Sequence, residues 1–174
     1  YRNGIGDELI FVHHGQGLLE SIFGQLKYRP GDYIIIPRGV MYQLILQSDD
    51  TRFLIMESAG MIEAPQRYRN EYGQFLEHSP FCERDIQVPE FQEPQKQEGE
   101  FRFLLKLGHG IQELFLAHHP FDIVGWDGFY YPWIFNIKDF MPIVGKVHQP
   151  PPVHQTFEAP GYVVCSFCPR LFDF

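Results

Sequence analysis

Short apolar runs, broken at close intervals by turn residues, fill the first sixty positions. Stretches rich in apolar and β-branched residues at 9–13, 18–23, 33–36, 41–46 and 52–57 alternate with Gly15-Gln16-Gly17, Phe23-Gly24, Pro30-Gly31-Asp32, Pro37-Arg38-Gly39 and Ser48-Asp49-Asp50. Runs of this length between Gly, Pro and Asp breaks predict β-strands, and five of them in under sixty residues leave room only for short hairpins. A helical period is scarce. Residues 1–60 are therefore expected to form a small β-barrel or jelly-roll module. From 61 to 100 the pattern dissolves into Pro, Gln and Glu, with six acids against two bases over 83–100, which predicts an extended connector. Strand patterns resume at 101–107 and 111–116, joined by Gly108-His109-Gly110, and again at 162–167. A second β module is expected to start within 101–174. The stretch 120–142 is dense in aromatic side chains, which suit a pocket lining, a subunit interface or a loop held by core packing.

Composition narrows the partners. A net charge of −8 and a pI near 5.4 disfavour binding to phosphate backbones or anionic membranes, both of which need clustered Lys and Arg. No apolar run is long enough to span a bilayer, and the start Tyr-Arg-Asn-Gly-Ile-Gly-Asp-Glu lacks the apolar core of a signal peptide. The chain reads as soluble and cytoplasmic, with no nucleic-acid or membrane partner. Three cysteines at irregular spacing suit a reducing compartment. At 174 residues it can bury about two-thirds of its unfolded surface, so neither disulfide nor structural metal is required for folding. It begins on Tyr1 and ends on Pro-Arg-Leu-Phe-Asp-Phe, which predicts a piece of a longer protein.

Six residues separate Glu8 from Gly15, and Gly31, Pro37, Gly39 and Tyr42 follow as G-x5-P-x-G-x2-Y. That spacing resembles the two cupin motifs, in which neighbouring inward-facing strands of a β-barrel present metal ligands. A cupin metal site also needs a His pair shortly before the Glu and a His in place of Tyr42. Here Tyr1, Asn3 and Tyr42 stand at those positions, so the first barrel is expected to hold no metal. His13 and His14, adjacent on a strand, point to opposite faces and cannot chelate together.

His148-Gln-Pro-Pro-Pro-Val-His154-Gln-Thr-Phe carries the most suggestive chemistry. Three prolines fix φ and favour an extended backbone, so His154 is mounted with little loss of entropy on ordering. A fixed imidazole can move protons between a substrate and solvent at physiological pH. The other readings are a rigid turn with two incidental histidines, and a metal pair of His148 with His154, which lacks a nearby carboxylate. Cys165-Ser-Phe-Cys168 matches C-x-x-C, but on a strand that offset separates the thiols, and structural cysteines are expected.

Four segments, GDELIFVHHGQG, YRPGDYIIIPRGVMYQL, HSPFCERDI and the long run from HPFDIVGWDGFYYPWIFNIKDF through HQPPPVHQTF to PRLFDF, together resemble the homogentisate 1,2-dioxygenase family. The likeness runs nearly end to end. It implies two cupin-like modules in one chain, Fe(II) held only by the C-terminal one through two His and one Glu, and ring opening of homogentisate with O2 to maleylacetoacetate. It further implies a general-base histidine, matched here by His154, and a homo-oligomer of three or more subunits. The family's iron ligands fall beyond the counterpart of Phe174, so no metal ligand and no bound cofactor is expected in this chain itself, and the 174 residues alone are expected to be inactive. A non-enzymatic cupin module that binds a small ligand or partner chains is the alternative.

Overall fold

The computed structural model describes residues 1–125, 128, 130–142 and 153–168; His148 and the prolines at 150–152 lie outside them. Thirteen strands are described: β1 (Arg2–Asn3), β2 (Asp7–His14), β3 (Gly17–Ser21), β4 (Gly24–Tyr28), β5 (Asp32–Ile36), β6 (Tyr42–Leu46), β7 (Arg52–Ser58), β8 (Ile86–Gln87), β9 (Glu98–Leu107), β10 (Gly110–His118), β11 (Trp133–Asn136), β12 (Gln155–Ala159) and β13 (Tyr162–Cys165). No α-helix occurs among the described residues, and none is thus long and apolar enough to cross a membrane. The fold is all-β.

A five-stranded sheet in the order β7-β2-β5-β11-β8 forms the centre, and strands from 1–60, 61–100 and 101–174 all contribute to it. Side chains alternate across a strand, so a sheet covered on both sides needs apolar residues at successive positions. That is why Tyr33 to Ile36 read as an unbroken apolar run. Ile34 and Ile36 of β5, Ile10 and Val12 of β2 and Ile134 of β11 pack on one side against Leu19, Leu26, Tyr28 and Tyr42 of the three-stranded sheet β4-β3-β6. Tyr33, Ile35, Leu9 and Phe135 pack on the other side against Ile62, Tyr68 and Phe81 of the connector and against Phe157 and Val164 of the β12–β13 hairpin. Ile134 and Phe135, neighbours in sequence, are both fully buried in different cores. Each stabilises the fold by about 1.5–3 kcal/mol relative to exposure. The two opposed sheets fit a cupin-like arrangement.

Five described strands, β1, β4, β8, β11 and β12, were not among the runs read as strands in the pattern, and β3 is shorter than its run. The run at 18–23 was expected as one strand, but β3 ends at Ser21 and the apolar pair Ile22-Phe23 makes the turn into β4. Gly24 looked like a break and instead opens β4, at φ +121°, where a side chain would stand 2.0 Å from the carbonyl oxygen of Glu90. Its smallness lets the connector pair with Gln25, whose N–H donates to Glu90 O at 2.9 Å and whose carbonyl accepts from Glu90 N at 2.8 Å. β11 sits inside the aromatic stretch and adds to the free edge of β5 in antiparallel register, Ile134 opposite Ile34. The stretch as a whole divides. Trp133, Phe135 and Phe140 contribute to the core, whereas Val124, Gly125 and Tyr131 line an open groove of about 510 Å³ with Phe23, Val88 and Phe91.

The connector crosses the outer face of the central sheet. It makes two single 3-10 turns, Gln66–Tyr68 and Glu83–Asp85, and the two-residue β8. β9 and β10 form a long hairpin turned by Gly108-His109, and β1 lies parallel to β9 along its other edge.

Candidate functional site

The cupin-like spacing brings its residues together around one carboxylate. Glu8, near the start of β2 and 5% exposed, shares its face with Ile10 and Val12 and so points between the two opposed sheets. Tyr42 begins β6 and its hydroxyl donates to Glu8 Oε2 at 2.9 Å. Tyr1 donates to Glu8 Oε1 at 3.2 Å, and the two tyrosine rings meet edge to face at 5.5 Å. Burial first, then the charge and hydrogen bond of Glu8, push the Tyr42 phenol far above its ordinary pKa. The Tyr1 phenol is raised by the same causes in the same order. Asn3 turns elsewhere: its amide donates to Glu57 Oε2 at 2.9 Å and its carbonyl oxygen accepts from the N–H groups of Ile5 and Gly6. Glu57 also pairs with Lys106.

These residues do not fit iron. At each of the three positions where a cupin metal site has a histidine, Tyr1, Asn3 and Tyr42 direct a proton at a carboxylate, where a metal needs lone pairs from His and carboxylate groups. Among the described residues no group of three or more His, Cys, Asp or Glu is placed to hold a metal ion. His13 and His14, at the end of β2, are exposed to solvent.

His154 lies on the opposite side of the central sheet. It occupies the turn before β12, half-buried, with its ring tilted against Phe167 at 5.2 Å between centroids. The antiparallel pairing of β12 with β13 sets His154 beside Ser166, just past the Gln155–Cys165 pair. Ser166 N–H donates to His154 O at 2.8 Å, and His154 Nδ1 lies 3.0 Å from Ser166 O. A carbonyl oxygen can only accept, so Nδ1 carries the hydrogen, and in the neutral ring Nε2 holds the free lone pair. The tautomer is thereby the one a base at Nε2 requires.

The next residue anchors the turn to the connector. Gln155 is buried; its side-chain oxygen accepts from Arg67 Nη1 at 2.6 Å and its backbone carbonyl from the Tyr68 hydroxyl at 2.8 Å. Arg67 also lies over the Tyr68 ring, 4.8 Å from its centroid. Cys165 and Cys168 are half-buried free thiols. Cys168 Sγ points to the carbonyls of Ser166 and Phe140, and burial raises its thiol above the ordinary range, away from the reactive thiolate. Ser166, Thr156 and Tyr33, which surround the His154 turn, carried no signal in spacing or motif.

Residues 1–137 match the family model described as the homogentisate 1,2-dioxygenase N-terminal region. The chain belongs to the homogentisate 1,2-dioxygenase family. Its curated relatives agree. A Saccharolobus solfataricus protein, named as a candidate dioxygenase with no substrate given, is 43% identical over 174 residues, which is 100% of this chain and 44% of the relative. Homogentisate 1,2-dioxygenase of Emericella nidulans is 30% identical over 160 residues, 90% of this chain and 35% of the relative. The Bradyrhizobium diazoefficiens enzyme of the same name is 25% identical over 164 residues, 92% of this chain and 35% of the relative. The homogentisate 1,2-dioxygenase relatives are thus more than twice as long as the segment that matches them.

Proposed function

We propose that this chain is the part of an Fe(II)-dependent homogentisate 1,2-dioxygenase that supplies the general base, His154, for opening the homogentisate ring with O2 to maleylacetoacetate. In this reading the iron is held by ligands outside the 174 residues, and the whole protein works in the cytoplasm as a homo-oligomer of three or more. Family membership and the names of two relatives support the substrate class. The observation that carries the role of His154 is the bond from Nδ1–H to Ser166 O, which leaves Nε2 as the bare nitrogen.

The chemistry follows from that bond. A ring hydroxyl of the substrate within hydrogen-bond reach of Nε2 passes its proton there, leaving a phenolate and an imidazolium. The new positive charge is met by the Ser166 carbonyl dipole already on Nδ1–H, and the half-buried ring can return the proton to solvent. His154 needs no rotation between the two states. The Glu8 locus takes no part, because both phenols beside it are committed to the carboxylate.

In the longer enzyme, His154→Asn is expected to lower kcat by about 10²–10⁴-fold, the usual range for losing an acid–base group, with iron content unchanged. Loss of iron in step with activity would make His154 a ligand, and near-normal turnover would remove it from the mechanism. Comparing kcat/KM for homogentisate and other substituted hydroquinones tests the substrate.

A further inference from the structure

Three buried hydroxyls surround the His154 turn without reaching its ring. Ser166 and Thr156 are wholly inaccessible to solvent and Tyr33 nearly so. Ser166 Oγ lies 3.1 Å from the Tyr33 hydroxyl and also contacts Thr156 Oγ1, while Thr156 Oγ1 donates to His154 O at 3.3 Å.

Counting hydrogens fixes the direction of this chain. Each hydroxyl has one to give. The carbonyl of His154 takes the one from Thr156, so Thr156 must accept from Ser166. Ser166 then has none left for Tyr33 and must accept from it. The bonds therefore run from Tyr33 O–H to Ser166 Oγ, from Ser166 O–H to Thr156 Oγ1, and from Thr156 O–H to the His154 carbonyl. Every buried hydroxyl donates once, as a buried polar group must to avoid an unmet desolvation cost.

The origin of the chain is rigid. Tyr33 belongs to β5 in the middle of the five-stranded sheet, and its ring is packed between Phe11 at 4.9 Å and Phe157 at 5.5 Å. Its far end holds the same residue whose ring bonds Ser166 O, so Ser166 touches His154 at carbonyl and ring together while its side chain is tied to the sheet.

We infer that Tyr33, Ser166 and Thr156 form a hydroxyl brace through which the central sheet fixes the position and tautomer of His154. Tyr33 and Ser166 are positioning residues, separated from His154 by the sequence yet bonded in series to it. The inference rests on the reading of His154 as the base, and it gives the central sheet, through Tyr33 of β5, a part in the reaction.

Nitrogen and carbon NMR of the 174-residue chain labelled at histidine tests the brace, with the His154 signals assigned from the His154→Gln spectrum. The neutral ring is expected to show the Nδ1–H tautomer. Tyr33→Phe and Thr156→Val, which keep shape and remove one hydroxyl each, are expected to replace that signature by averaged ring signals, and Thr156→Ser to retain it. A general loosening of the fold would not separate Thr156→Ser from Thr156→Val. If Tyr33→Phe and Thr156→Val stay folded by circular dichroism and keep the Nδ1–H signature, the brace does not exist. Because this readout is independent of turnover, a brace that passes while His154→Asn leaves kcat intact in the longer enzyme would defeat the general-base reading alone.

Discussion

Replacing Tyr42 by Phe removes one oxygen from the space between the two opposed sheets and leaves Glu8 Oε2 without the donor it has at 2.9 Å. The ring, 7% exposed, keeps its contacts with Tyr1 and the core, so packing changes little. Tyr1 still serves Oε1. A hydrogen bond to a charged group is worth about 1.5–3 kcal/mol, so Tyr42→Phe is expected to lower unfolding stability near neutral pH by that amount. The gap must then narrow with alkali. In the folded protein the Tyr42 phenol is pushed above its ordinary value of about 10, so above that pH the unfolded wild type loses a proton that the folded one keeps. Fewer protons bound in the unfolded state means stability falling as pH rises. By about pH 11 this removes about 1.4 kcal/mol from the wild type and nothing from the variant at this position. The other tyrosines titrate in both proteins and cancel in the difference. Urea melts of both proteins followed by circular dichroism at about pH 8, 10 and 11 measure it. A variant within about 0.5 kcal/mol of wild type at pH 8, or a gap that does not shrink by pH 11, would refute the phenol–carboxylate pair as described.

Gly24→Ala is expected to cost more than about 2 kcal/mol, since it adds positive-φ strain to a 2.0 Å approach on Glu90 O. Gly73→Ala has the strain and open space around it, so thermal denaturation should show clearly less than the Gly24 loss. Phe157→Ala should cost about 3–5 kcal/mol in urea, because the ring is fully buried between Tyr33, Phe81, Trp133 and Phe135. A loss below about 1 kcal/mol would mean that the β12–β13 hairpin does not seat on the sheet as described. After dialysis, the 174-residue chain is expected to retain no stoichiometric iron by metal analysis.

The parts of the fold that could be read were those whose cause is local. A run such as Tyr33 to Ile36 between Pro30-Gly31-Asp32 and Pro37-Arg38-Gly39 carries both its strand and its turns with it. β4 was hidden because its turn is the apolar pair Ile22-Phe23, and its Gly answers to the connector sixty-six residues away at Glu90. β11 was hidden among aromatics that serve two different surroundings. At the site, the spacing from Glu8 to Tyr42 foretold neighbours because both lie on the strands of one module. Ser166 and Tyr33 stand 133 positions apart, and their contact depends on how a late hairpin seats on an early sheet. Only the folded chain shows that.

The place of β11 between β5 and β8 also sets a clock on synthesis. A hundred residues separate Ile36, the end of β5, from Asn136, the end of the strand that covers its edge. At about 5–20 residues per second, a nascent chain carries that apolar edge open for roughly 5–20 seconds after β5 has emerged. An uncovered strand edge is a template for pairing with another chain, so through this interval the β5 edge leaves the polypeptide open to aggregation. The family's N-terminal unit, matched over residues 1–137, closes on the strand that ends the exposure.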